Sequence, residues 1–320
     1  MSPQDPRPGT PDFSGVLVVD KTEGPTSHDV VTFARRALGV SRIGHTGTLD
    51  PLATGVLPLV VGRATRLAQF LTASDKSYQA TIAFGRTTDT HDATGTITSR
   101  SDVRPTREQL ESALQNFSGT FDQTPPIYSA KNIEGERSYE LARKGKTATM
   151  TRPKAVSVTV KRLQLESFDG ESAGLDLQVS AGFYVRALAH DLGEALGCGA
   201  VLSALRRTRS GEFGLDRAVP LAEVLQSSRD SLAGRLIPFR ELLPELPAVT
   251  LRSAVQLERL RNGVEMGPDD LIEPIVLPGT PMAPEAPKMI VRLMGPEGDL
   301  VGLAKPGKTP GFLHGWVVLG

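Results

Sequence analysis

The hydrophobic positions of this 320-residue chain change period several times, and each change marks an element. Residues 15–20 (GVLVVD) form a continuous apolar run suited to a buried strand. Val30, Phe33, Ala34, Ala37 and Leu38 then recur at the spacing of a helical stripe, with Thr26 or Ser27 as cap and Gly39 as stop. VLPLVVG, from Val56, reads as a second buried strand, and a helix is expected from near Ala64 with Leu67, Phe70 and Leu71 on one side. From Lys76 the period drops to two, placing Tyr78, Ala80, Ile82 and Phe84 on one face of a strand. The polar stretch TTDTHDATG (87–95) is a loop. Thr106 with Gln109 makes a capping box for a helix that buries Leu110, Ala113, Leu114 and Phe117.

Further along, residues 123–131 form a stiff connector and residues 138–145 a short helix closed by Gly145. Val156, Val158 and Val160 alternate, as do Leu175, Leu177 and Val179, predicting two strands about a turn at Asp169-Gly170. A helix over 184–196 buries Val185, Leu188, Ala189, Leu192 and Leu196 and stops at Gly197. Residues 221–243 read as helical with a break near Ala233-Gly234. The texture then changes. A helix capped by Ser253 with Gln256, a proline-rich stretch over 274–287 and strands at 288–294, 300–304 and 316–319 form a β-rich piece of about 75 residues, at the lower end of what folds alone. The expected organisation is a flexible tail over 1–13, a main domain over 14–245 and a small domain over 246–320.

Composition narrows the function classes. With 39% hydrophobic and 22% charged residues the chain reads as an ordinary soluble protein, without an apolar run long enough for a membrane helix. The N-terminus lacks the pattern of a secretory signal, and a single cysteine, Cys198, leaves no intramolecular disulfide or multi-cysteine zinc site. A reducing cytoplasm is the expected compartment. Basic and acidic residues balance at 36 each, so bulk charge gives no signal for nucleic acid. Locally, residues 131–162 hold nine basic residues against three acidic ones, among them Lys131, Arg137, Arg143 and Lys144. That cluster permits a polyanionic partner.

Three candidate chemistries can be weighed directly. Residues 302–309 (GLAKPGKT) match the P-loop pattern, but Pro310-Gly311 and a strand-like run follow where a helix is required, so no nucleotide is expected. Asp89, His91 and Asp92 could suggest a metal site, yet the plain loop is the better reading, and the five histidines form no H-x-x-x-H pair. The stretch GHTGTLDPLATGVLP (44–58) places one carboxylate, Asp50, on a stiff loop rich in glycine and proline, with His45 close by. By itself it reads most simply as an Asx-turn on the surface. With metal, cysteine and nucleotide chemistry set aside, Asp50 is the remaining reactive group. His45, Tyr78, Tyr184 and Arg186 are its possible helpers. Arg186 stands in the first turn of its helix, where a cation is mildly disfavoured by the helix dipole.

GHTGTLDPLATGVLP strongly resembles the signature loop of the TruB family of tRNA pseudouridine synthases. KTEGPTSHDV, DKSYQATIAFGRTTDTHDATG, QTPPIYSAKNIEGERSYELAR and GFYVRALAHDLGEALGCGAVLSALRR resemble further blocks of that family, in family order, over residues 15 to about 215. The resemblance implies an α+β fold: a mixed, largely antiparallel sheet with flanking helices and a central cleft, followed by a small β-rich PUA-like RNA-binding domain. It implies isomerisation of the T-loop uridine at tRNA position 55 to pseudouridine, without cofactor or metal. Asp50 would be the nucleophile, at C6 of the base or at the sugar. Arg186 would pair with it, Tyr78 would stack on the flipped base, and His45 would hold the base out of its stack. Tyr184 and Leu205 would line the uracil pocket, Lys21 matches a lysine near the site, and Lys131, Arg137, Arg143 and Lys144 become candidate contacts to the RNA backbone. The implied partner is the T-arm stem-loop of tRNA, bound by a monomer. A non-catalytic tRNA-binding or folding protein with the same cleft is the rival reading.

Overall fold

The structure is a computed structural model that describes residues 13–126, 132–133, 136–137, 154–272 and 289–319. Strand β1 (Gly15–Lys21) is buried almost throughout, as its unbroken apolar run requires. Helix α1 (Ser27–Leu38) starts from a capping box in which Thr26 and Asp29 exchange hydrogen bonds, and Gly39 ends it in the left-handed conformation. Strands β2 (Ile43–His45) and β3 (Thr54–Val61) flank the loop that carries Asp50. A 3-10 turn over Gly62–Leu67 leads into α2 (Ala68–Thr72), so the helix expected near Ala64 is two short pieces. Strand β4 (Lys76–Phe84) alternates buried and exposed positions as its period predicts.

Strands β5 (Arg86–Thr88) and β6 (Ile97–Arg100) bracket the acidic loop, and α3 (Arg107–Gln115) follows its Thr106 cap. Beyond β7 (Gly119–Gln123) come two short pieces at Asn132–Ile133 and Glu136–Arg137. Strands β8 (Val156–Phe168) and β9 (Ser172–Val179) lead to α4 (Val185–Ala195) and then to β10 (Ala200–Ser210). The segment expected to be helical over 221–243 holds only α5 (Leu221–Gln226), α6 (Arg229–Ala233) and a 3-10 turn. Pro238 fixes φ and denies the helix a donor there.

Apart from β5 and β6, which pair with each other, these strands form one ten-stranded sheet, ordered from the piece Val219–Pro220 through β1, β3, β10, β4, β9 and β8 to β7, with β2 paired to β3 and the piece Phe213–Gly214 paired to β10. It is mixed and largely antiparallel. The parallel junction between β3 and β10 is short, with Arg206 opposite Thr54 and Arg207 opposite Gly55. The pairing is confined to these two positions, next to the start of β3 where the Asp50 loop ends. β2, β5, β6, β7 and β10 are strands that the sequence pattern did not reveal, and β10 is the longest of them. Its bulges at 202–204 and 207–209 break the alternation that marks a strand. One large core packs α1, α3 and α4 against the sheet, while a second, containing Val16, Val18, Val56 and Val60, faces the C-terminal part.

From Ala248 a separate four-stranded sheet forms from β11 (Ala248–Thr250), β12 (Val291–Met294), β13 (Leu300–Pro306) and β14 (Leu313–Val318), with α7 (Ala254–Arg261) against it. It has its own core, yet Leu300, Leu303 and Leu319 pack into the second core of the main sheet. Arg63 and Arg66 donate to the carbonyls of Leu319 and Val318 across that junction. The P-loop-like stretch is strand β13 and a turn. The amides of Lys308 and Thr309, which a phosphate would need, donate instead to the Glu265 carboxylate. The expected helix over 138–145, the residues Lys131, Arg143 and Lys144, and the proline-rich 274–287 lie outside the described residues, as does the side chain of Arg137.

Close approach at the junction of β3 and β10 requires glycine. Gly55 has φ +100°, and a Cβ there would sit 2.2 Å from the Arg207 carbonyl oxygen. Gly55→Ala is therefore expected to lower stability by about 2–4 kcal/mol, read as a fall in melting temperature. A melting curve that matches the wild type would contradict this packing.

Candidate active site

The loop between β2 and β3 is held from beneath by its own backbone. Ser27, at the start of α1, donates through Oγ to the Leu49 carbonyl at 2.9 Å and accepts from the Leu49 amide at 2.8 Å. The Gly24 amide donates to the Pro51 carbonyl at 2.9 Å. Lys21, fully buried at the end of β1, donates to the carbonyls of Ala53 at 2.6 Å and Pro51 at 3.3 Å. Burial pulls its ammonium down to about 8, although Asp50 and Glu23 oppose that shift. Arg207, on β10, donates from Nε to the Val56 carbonyl at 2.7 Å and from Nη2 to the Gly47 carbonyl at 3.1 Å. The loop backbone is thus fixed at Gly47, Leu49, Pro51 and Ala53, and Asp50 is presented from a stiff frame.

Arg186 meets that carboxylate. It lies in the first turn of α4, with Nε 2.9 Å from Asp50 Oδ2 and Nη2 donating to Asp50 Oδ1 at 3.2 Å. Its other edge faces the acidic loop, where Nη1 donates to the Thr90 carbonyl at 3.1 Å and stands 3.6 Å from Asp92 Oδ2. Side-chain exposure is 8% for Arg186 and 6% for Asp92, against 36% for Asp50. The arginine is therefore a buried bridge between a buried carboxylate and an accessible one. The two acids answer the cost of a cation at a helix N-terminus.

A cavity of about 390 Å³ opens beside Asp50, of the size to take a nucleoside-sized ligand. His45, Tyr78, Tyr184, Leu205 and Arg186 line it with Asp50, so five of the expected partners converge from four distant segments. Tyr78 and Leu205 present apolar, largely buried surface. Tyr184 is placed by β7, because the Gln123 side chain donates to its carbonyl at 3.0 Å and accepts from its amide at 2.8 Å. His45 accepts from the Gly47 amide through Nδ1 at 3.4 Å. Lys21 is not on the cavity wall but under the loop. Lys76 and Arg207 do line the cavity.

Several of these residues escaped the sequence pattern. Asp92 was read as part of an ordinary polar loop, although its carboxylate accepts from Thr90 Oγ1, the Thr94 amide and Thr94 Oγ1 as well as pairing with Arg186. Asp89 is committed to the Thr96 amide. Lys76 could have been found, since it stands two residues from Tyr78 on the same face of β4. Among the described residues, no three His, Cys, Asp or Glu side chains are grouped to hold a metal ion.

Behind Arg186, His91 stacks on His190 of α4 with ring centroids 4.0 Å apart and planes 12° from parallel. His91 adopts φ 61°, a left-handed conformation rare for non-glycine residues, which turns its ring onto the helix. Burial, with repulsion from His190 and Arg186, pulls its imidazole down to about 4. A histidine near its ordinary value of about 6.5 when unfolded binds a proton first in the unfolded chain. Its contribution to stability is thus complete above about pH 6.5 and is lost as pH falls towards 4. Because the ring is part-exposed, the expected loss is a few degrees in melting temperature over that interval. His91→Ala should flatten this part of the profile, and an unchanged slope would remove His91 as its source.

Comparison with known proteins bears on this geometry. The profile of the TruB family pseudouridylate synthase N-terminal domain matches residues 35–185, and that of the tRNA pseudouridylate synthase B C-terminal domain matches residues 186–244. The chain is 44% identical over 310 residues to tRNA pseudouridine synthase B of Solibacter usitatus, covering 96% of this chain and 100% of the relative. It is 40% identical over 304 residues to tRNA pseudouridine synthase B of Cupriavidus metallidurans, covering 94% and 93%. Among solved structures, a Cbf5-Nop10-Gar1 complex aligns with a TM-score of 0.71 at 25% identity over 97% of this chain and 85% of that one. An H/ACA RNP bound to a substrate RNA containing 2′-deoxyuridine aligns with a TM-score of 0.71 at 23% identity, over 97% and 86%, which speaks to the fold.

Proposed function

The chain belongs to the TruB family of pseudouridylate synthases and is in that sense a tRNA pseudouridine synthase, and we propose that it acts on the T-loop uridine at position 55 with Asp50 as nucleophile. The observation that carries the residue assignment is the Asp50–Arg186 pair at the wall of a cavity lined by Tyr78, Tyr184 and Leu205. A uridine must leave its loop before any side chain can reach its glycosidic bond. Once inside, the base stacks on Tyr78 between Tyr184 and Leu205, while His45 occupies the rim. Arg186 keeps the Asp50 carboxylate aimed at the nucleotide, and Asp92 with the Thr90 carbonyl keeps Arg186 in place. The C1′–N1 bond breaks, the base turns, C1′ is rejoined to C5, the C5 proton is lost and N1 takes up a proton, so the atoms of the nucleotide are conserved.

The bound RNA is the T-arm stem-loop, taken up by a monomer in the cytoplasm. The basic residues Lys131, Arg137, Arg143 and Lys144 contact its phosphates, and binding through them weakens with salt. Residues 14–245 form the catalytic domain. The four-stranded sheet within 246–320 serves as a PUA-type RNA-binding domain, an assignment supported by its separate core and its β-rich content. Lys21 acts on the loop rather than on the base, since its three carbonyl contacts consume its donors.

Asp50→Asn is expected to bind unmodified tRNA normally and to form pseudouridine more slowly by at least about 10³-fold. Retained turnover would sink the nucleophile assignment, and a wild type that binds tRNA without modifying it would favour a binding protein. Asp92→Asn is expected to slow single-turnover conversion about 10²-fold through misplacement of Arg186, with little change in tRNA affinity. An unaltered rate would show that Asp92 does not position Arg186.

A further inference from the structure

The cavity wall carries three cations, Lys76, Arg186 and Arg207, against one carboxylate, Asp50. Arg186 is matched by Asp50 and Asp92. The other two have no carboxylate partner among the described residues. Arg207 is 1% exposed and donates to the carbonyls of Val56 and Gly47. Lys76 is 7% exposed and donates to the carbonyls of Thr72 at 2.6 Å and Ser74 at 2.5 Å. An ammonium has three N–H donors, so one remains for the cavity. Burying unpaired cations is costly, and a site that accepts this cost is suited to an anion. Lys76 and Arg207 are both buried, whereas the Asp50 carboxylate is part-exposed.

We propose that Lys76, backed by Arg207, is a catalytic residue that stabilises the negative charge appearing on the uracil when Asp50 reacts. This rests on the reading of the site given above, and it follows from where the charge goes. If Asp50 attacks C1′, its oxygen bonds to that carbon, the C1′–N1 bond breaks with its pair going to N1, and no proton moves. The charge then leaves Asp50 and spreads over N1, O2 and O4 of the free uracil. If Asp50 attacks C6, an oxygen–carbon bond forms there and the displaced π pair places the charge on the enolate at O4. In both routes the charge departs from the Arg186 pair and appears on the base. A phosphodiester stays with the RNA backbone outside the cavity, whereas the base enters the space that Lys76 lines. Arg207 is a positioning residue: it holds the Gly47 carbonyl and adds positive potential without touching substrate.

Lys76 has to be protonated for this role. Burial, with repulsion from Arg207 and against attraction from Asp75, pulls its ammonium down to about 8, and Asp75 also pairs with Lys161. The charge is therefore lost as pH rises through about 8.

The test compares wild type and Lys76→Met in single-turnover conversion at saturating tRNA T-arm stem-loop, with uridine and with 5-fluorouridine at the target. Fluorine makes the uracil a better holder of negative charge, and because it cannot leave C5 as a proton, the rearranged base is trapped and counted. The expected result is a rate lower by about 10²-fold with uridine, a clearly smaller loss with 5-fluorouridine, and an unchanged Kd for the RNA. A weakened Kd with a normal saturating rate would assign Lys76 to the RNA phosphate and overturn the proposal. Equal losses on both substrates would overturn it in favour of a structural role. If Lys76→Met lacks a cooperative melting transition, Lys76→Gln takes its place. A pH profile with uridine supplies a second check: the wild-type saturating rate should fall above about pH 8 and the fall should be absent in Lys76→Met, and a fall of equal size in the variant would contradict the proposal. A wild type that makes no pseudouridine would instead defeat the underlying assignment of function.

Discussion

Buried cations seated on backbone carbonyls hold this molecule's centre together. Lys21 and Arg207 lie under opposite ends of one loop, and neither has a carboxylate in contact among the described residues. A loop normally satisfies its carbonyls with water and moves accordingly. Here the carbonyls of Gly47, Pro51, Ala53 and Val56 are tied to side chains from β1 and β10, so the loop is as fixed as the strands it joins. The arrangement is reciprocal, because the cations are tolerable in the interior only while the loop supplies their acceptors. Displacing either side exposes the other to an uncompensated desolvation cost.

From that frame the electrostatics of the cleft follow. β3 and β10 pair only briefly, with Gly55 against Arg207, at the point where the loop is anchored. Arg186 of α4 meets both that loop and the acidic loop there. Arg186 is held there by two carboxylates and one carbonyl, of which only the Asp50 carboxylate is accessible. A buried ion pair is weak grounds for stability, yet breaking one by removing a partner costs several kcal/mol. The network is better understood as fixing direction: it leaves one acid accessible at the wall of a cavity of about 390 Å³. The C-terminal sheet is tied to this body by Arg63 and Arg66 and by the packing of Trp316 edge-on against Phe70, 5.0 Å between centroids.

Local periodicity made most of the elements legible. The capping boxes at Thr26 and Thr106, the alternation in β4 and the run in β1 all appear as their residues require. The failures have physical causes. β10 went unseen because two bulges spoil its alternation, and the helix expected over 221–243 is cut short before Pro238. Asp92 looked like any acid in a turn, since nothing in TTDTHDATG tells which carboxylate faces a helix 94 residues later.

The sequence by itself determined the fold class, the stiffness of the Asp50 loop and, through its motif blocks, the family and its candidate site residues. These depend on local rules, namely φ preferences, period and residue order, that a chain carries without being folded. Tertiary structure alone decided which charges meet. That Lys21 lies beneath the loop rather than in the cavity, that Arg186 bridges Asp50 to Asp92, and that Lys76 and Arg207 line the cavity without a carboxylate in contact among the described residues are consequences of burial and of strands pairing across more than a hundred residues. Desolvation and Coulomb interactions act through space, so their outcome is absent from any local stretch of the chain.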